Sequence, residues 1–270
     1  MSEQNMPVAP NPLLAQLRIP GETFKLPSGG IFYNNNELDE SVINGEVYVY
    51  PMTAIDEITI KTPDKLFSGD AIVDIFAHCI PQIKNPRMMF SKDIDFLLVC
   101  LRMLSYGQTI SLTATHNCTN AKEHSYDVEL REFIAKSKSI DPTTITQLFT
   151  VTMDNGQVVH LQPARFGDIV RFYQSLDRTD TNSQEVDYEK LKITMIENVV
   201  GMIHDVNNIT EKSFITEWLK SIPVKWTYKI GDAIGASSDW GPNFKATVIC
   251  TDCNQPYEIS APINPIAFFM

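Results

Sequence analysis

The chain has 270 residues, 43% hydrophobic and 20% charged, with five cysteines and a formal net charge of −11. This is ordinary globular composition, long enough for a sizeable core, so wholesale disorder is excluded. The acidic balance disfavours a nucleic-acid surface, which phosphate repulsion would penalise, and the longest purely apolar run, Phe96 to Leu101, is far too short to span a bilayer. Neither nucleic acid nor membrane is therefore expected as a partner.

Residues 1–20 are polar and proline-rich, with Leu13, Leu14, Leu17 and Ile19 scattered among them, and read as an arm that orders on docking. No basic flank precedes an apolar region, so no secretory signal is expected, and the chain should work in a cytoplasm or in something assembled there. Phe24 to Asn36 reads as an irregular stretch with a Gly-Gly turn, and Gly45 to Met52 as a short strand. Three helices follow: Thr53 to Lys61, Gly69 to Ile80 with Ser68 as its cap, and Lys92 to Tyr106 with Ser91 as its cap. In the third, Ile94, Leu97, Leu98, Leu101 and Leu104 make one apolar stripe. Asp93 and Asp95 suit its positive end, and Gly107 stops it.

After Gly107 the period switches to two. Thr109 to Thr115 and Ser125 to Leu130 predict strands joined by a turn that carries His116, Cys118 and His124. Leu148–Met153 and Gln157–Pro163 predict a hairpin across Asp154-Asn155-Gly156. Helices are expected at Phe166 to Leu176, Tyr188 to His204 and Glu211 to Ser221, with Asp177 to Asp187 as a linker-like stretch between the first two. A last strand pair brackets Cys250 and Cys253. The carboxyl-terminal segment Ala261–Met270 has two prolines and an apolar finish, which suits an extended contact arm.

The cysteines carry the chemistry. Five of them in a chain without an export signal argue against a disulfide framework. Cys79 and Cys100 fall in apolar helical patterns and read as core thiols. Cys250 and Cys253 follow a strand and precede an extended segment, not the helix that a redox pair requires. A strand, a Cys-x-x-Cys turn and a returning strand form a zinc knuckle, which needs two more ligands. Cys118 is the first choice for one, because thiolate is the softer donor. For the other, His124 closes a Cys-x5-His spacing and is preferred to His116, which stays as the alternative. Zinc held by Cys118, His124, Cys250 and Cys253 would be structural, with no open position for metal-assisted catalysis.

No other catalytic constellation is present: the chain has no nucleophile elbow, phosphate-binding loop or His-Glu-x-x-His. Asp56 and Glu57 read as a solvated face, and His78, His160 and His204 as structural histidines. The expected fold is α+β, a mostly helical body with short antiparallel β-hairpins and a zinc-ribbon-like clasp joining two distant turns. It divides into an arm (1–20), a helical region behind a strand (21–107), a β-hairpin region with the first half-site (108–165), a second helical region (166–241), and the knuckle with a carboxyl-terminal arm (242–270).

The ordered series "LPSGGIFY", "GEVYVYPMTAIDEITIKTPDKLFSGDAI", "CIPQI", "SKDIDFLLVCLRMLSYG" and "THNCTNAKEHSYDVEL" resembles the baseplate hub assembly proteins of contractile-tailed, T-even-type bacteriophages. The resemblance covers residues 22–176 well. It resumes more loosely through "EWL", "DWGP", the knuckle and "PIAFF". It implies a non-enzymatic role in building the baseplate hub, in the virion or in the host cytoplasm during assembly. The partners implied are other hub and tail proteins, within a symmetric assembly that could include further copies of the chain. The rival class is an acidic zinc-ribbon adaptor in a cytoplasmic regulatory complex.

Overall fold

The computed structural model describes residues 20–118, 122–177 and 188–261. The expected amino-terminal arm, the linker-like stretch and the carboxyl-terminal arm lie outside the described residues, except for Pro20, Asp177 and Ala261. The fold is α+β with small antiparallel sheets. Among the described residues, no helix is long and apolar enough to cross a membrane.

The chain opens with strand β1 (Glu22–Lys25), paired antiparallel with β2 (Glu46–Val49). Helices α1 (Ala54–Ile60), α2 (Pro63–Ser68), α3 (Asp70–Cys79) and α4 (Ser91–Tyr106) follow. Ser68 is the last residue of α2, with proline at that helix's start, and Gly69 in the left-handed region (φ 74°) takes the capping position and hinges α2 to α3, while the Ser68 hydroxyl still accepts from the Asp70 amide at 3.3 Å. Ser91 is likewise the first residue of α4, with Phe90 at the capping position. The apolar stripe of α4 is core as its period requires: Ile94, Leu97, Leu98 and Leu101 are all buried.

Strands β3 (Thr109–Thr115) and β4 (Glu123–Glu129) form a hairpin in which Ile110 faces Val128 and Leu112 faces Tyr126, all on the buried side. Helix α5 (Leu130–Ala135) and the single turn α6 (Ile145–Leu148) lead to a three-stranded sheet of β5 (Thr150–Thr152), β6 (Val158–Leu161) and β7 (Ile203–Val206). Between β6 and β7 run α7 (Phe166–Asp177) and α8 (Tyr188–Met202), and then come α9 (Lys212–Ser221) and α10 (Val224–Ala236). The helix expected to reach His204 stops at Met202, because Ile203–Val206 adds to the edge of β6. A hairpin of β8 (Lys245–Ile249) and β9 (Pro256–Ser260) closes the described chain.

Two hydrophobic cores result. The first gathers β1–β2, α3, α4, β3–β4 and α5, and also Ala246, Ile259 and Ala261 of the last hairpin. The second gathers β5–β7 with residues of α8, α9 and α10. The chain thus leaves the first core, builds the second, and returns. Tyr33 packs against both cores and stacks on the fully buried Phe90 (centroids 4.6 Å apart), whose edge meets Trp240 of the second.

Asp93 fastens this junction. It does not lie exposed at the helix end, as its position suggests, but is fully buried, accepting hydrogen bonds from the Ser28 amide (3.0 Å) and the Tyr33 hydroxyl (2.7 Å). The same hydroxyl accepts from the Phe90 amide at 2.7 Å. Burial pushes the Asp93 carboxyl from an ordinary 3.8 up to about 6, against the pull of its hydrogen bonds from Ser28 and Tyr33. With the folded value raised, the group's stabilising contribution is full below pH ~4 and lost as pH rises through 6. Asp93→Asn, which keeps the shape without the charge, should therefore gain on the wild type by about 2 kcal/mol between pH 4 and pH 7 in urea unfolding. A difference that does not vary with pH would show that this carboxyl is not held protonated by burial.

Candidate metal centre

The hairpins β3–β4 and β8–β9 face one another through Tyr126 and Tyr257, whose rings meet edge to face at 5.9 Å. At their tips the structure brings His116, Cys118, Cys250 and Cys253 together, with one ligand atom from each and all four within 4.8 Å of one another. His116 follows the last residue of β3, and Cys118 lies two residues further into the turn. Cys250 follows β8 and is fully buried, whereas His116, Cys118 and Cys253 are half-buried. The Cys253 sulfur lies 3.2 Å from His116 Nδ1, across 137 residues of sequence.

The knuckle is built by its backbone. The Asn254 amide donates to the Cys250 carbonyl and the Cys250 amide to that of Gln255, both at 2.9 Å. Asn254 takes a left-handed conformation (φ 56°), which asparagine tolerates better than most residues. Burial alone would raise the Cys250 thiol. The Cys253 and Asp252 amides directed at its sulfur outweigh that and bring it down to about 7. Cys253 is bonded by the Gln255 amide, which lowers it, but burial and the Cys250 and Cys118 sulfurs leave it raised. Three thiolates this close repel one another, and a divalent cation at their centre relieves that repulsion.

These residues fit a zinc ion. Three thiolates and one imidazole are a common closed structural set, and the mutual spacing of the ligand atoms suits tetrahedral bonds of about 2.0–2.3 Å after small inward shifts. Tyr257 stacks on His116 (centroids 4.5 Å, 28° between planes) and fixes its ring. Burial, together with the Tyr126 hydroxyl and the nearby sulfurs, pushes the Tyr257 phenol up to about 12, so it stays neutral beside them.

The imidazole that joins the three thiols is His116, the alternative reading; His124 does not join them. The Cys-x5-His spacing assumes a long turn, but the β3–β4 ladder continues to the Thr115–Glu123 pair. His124 therefore stands inside β4, opposite Ala114, and its Nε2 meets Asp252 Oδ2 at 2.7 Å. Asp252 belongs to the knuckle, so this contact spans the same gap as the cysteines. Asp252 and Tyr257 carry no sequence signal of their roles, which depend on which hairpin the knuckle faces.

The remaining cysteines, histidines and carboxylates lie away from this cluster. Cys79 and Cys100 are buried, and burial holds both thiols well above their usual range. His160 pairs with Asp205 at 2.9 Å. Asp56, read as solvated, is instead buried at 5% exposure. It accepts from the Thr53 amide (2.7 Å) and hydroxyl (2.6 Å), capping α1, while its neighbour Glu57 pairs with Lys61 at the surface. A double-mutant cycle on His124→Gln and Asp252→Asn should give a coupling of about 0.5–1 kcal/mol in thermal unfolding. Zero coupling would mean that the pair does not help hold the hairpins together.

Compared with known families, the chain matches the model described as T4 bacteriophage base plate protein over residues 49–269, and it belongs to that family. No curated protein and no solved structure matches it.

Proposed function

We propose that this base plate family member is a non-enzymatic structural or assembly protein of a phage baseplate hub, acting by contacts with other hub and tail proteins. One observation carries the reading: the family match runs through every described element from α1 to β9. The acidic surface suits protein partners better than nucleic acid. In this reading a structural zinc ion, held by Cys118, Cys250, Cys253 and His116, clasps the returning hairpin to the first core. The ion supplies cross-linking and charge neutralisation. The chain supplies the thiolates, the oriented imidazole and the amides that favour thiolate at Cys250.

The arms outside the described residues are the proposed contact elements, because apolar side chains among prolines suit an extended segment laid on a partner. Deleting residues 266–270 should abolish co-purification with tail proteins and leave the melting temperature within ~2 °C. A large drop in melting temperature would instead place those residues in the chain's own core.

For the clasp, chain purified without added zinc should carry near one equivalent of tightly held metal. His116→Ala should weaken zinc binding by at least ~10²-fold, His124→Ala should change it only a few-fold, and Cys250→Ser should lose the metal with a lowered melting temperature. Full folding without metal would contradict the clasp. Stable association with host regulatory proteins and not with tail proteins would favour the adaptor reading.

A further inference from the structure

We propose that Asp56, His78 and Cys79 form a second metal site, separate from the cysteine clasp, that takes one divalent transition-metal ion of borderline softness such as zinc or cobalt. The site lies where α1 packs on the end of α3. One oxygen of Asp56, Oδ2, is occupied by the Thr53 amide and hydroxyl. His78 Nδ1 lies 2.9 Å from the other, Oδ1, and 2.8 Å from Oδ2 itself. The Cys79 sulfur stands 3.9 Å from Asp56 Oδ2 and 4.0 Å from the Pro51 carbonyl. One ligand atom from each of the three residues falls within 4.8 Å of the others. A tetrahedral ion with bonds of about 2.0–2.3 Å keeps its ligands about 3.3–3.8 Å apart. Small side-chain shifts would bring the three ligand atoms to that spacing.

The donor set decides which ions fit. Carboxylate, imidazole and thiolate together suit zinc or cobalt, whereas calcium and magnesium demand all-oxygen shells. The surroundings are prepared for a cation as well. A buried carboxylate lies against a buried thiol, with Asp56 Oδ2 3.9 Å from the Cys79 sulfur. Binding breaks the Cys79 S–H bond, forms a metal–sulfur bond and releases the proton to solvent, with no change of oxidation state. The ion then supplies the positive charge that both groups lack. The His78 side chain is 55% exposed, which gives the ion a route in and leaves its fourth position to water. Three protein ligands and an open position make this the weaker and faster-exchanging of the two sites.

The bland alternative is that His78 and Asp56 form only an ion pair on a helix cap, and cobalt titration of the full chain separates the two. The chain is stripped with a chelator, refilled with cobalt under reducing conditions, and bound metal is counted alongside the sulfur-to-cobalt absorption. Wild type should bind two equivalents. His78→Ala should weaken the second equivalent at least tenfold, and His78→Gln should do the same. His116→Ala should impair the first and spare the second. A single equivalent lost in His78→Ala and kept in His116→Ala would support this site while overturning the clasp. Equal stoichiometry and affinity in wild type and His78→Ala would overturn this site whatever the clasp does.

Discussion

The return of the chain to its first core is the constraint on which the rest depends. Residues of β8 and β9 complete a core begun by β1 and β2, although the second core is built in between. A two-stranded hairpin of five-residue strands is not stable by itself in water. Its inner face offers Ala246 and Ile259 to the first core, with Val248 and Tyr257 half-buried beside them. Bringing segments about 130 residues apart together carries a loop-closure cost that grows only slowly with length, and contacts at the tips offset part of it. The His/Cys cluster and the His124–Asp252 pair stand at those tips.

The other end of the same problem is the contact between the cores. Trp240 reaches Phe90 just before the returning hairpin begins, and Lys138 and Gly241 exchange backbone hydrogen bonds at 3.0 and 2.7 Å. The Lys92 ammonium donates to the Ser238 and Trp240 carbonyls and lies 5.4 Å from the Trp240 ring centre. Phe133 of α5 meets Phe244, the residue before β8, edge to face at 6.0 Å. From Trp240 to Cys253 the chain is thus fixed at short intervals to elements laid down much earlier.

What the sequence made legible was whatever is written locally. The α4 stripe, the period-two runs of β3 and β4, the Asn-Gly hairpin and the knuckle all follow from neighbours in the chain. The short helices α2 and α5 and the edge strand β7 did not, because six or four residues hold too little periodicity and are decided by what they pack on. Helix α10 escaped because glycines at 231 and 235 and a lone buried Ile230 blur its pattern. At the site, the three thiols were legible from softness and spacing. The choice of histidine depended on how far the ladder ran, which is a matter of pairing with the opposite strand. Asp56 was misread for the same reason: a carboxylate near a helix start looks solvated until a partner segment covers it.

Hydrogen exchange on the full chain, with zinc loaded and after chelation, tests the clasp most directly. If the proposed zinc clasp holds, removing the ion should cost protection in β8–β9 and at the tip of β3–β4 together, while β5–β7 and α8–α10 exchange as before. Unchanged protection at both hairpins, or a loss spread evenly over both cores, would contradict it.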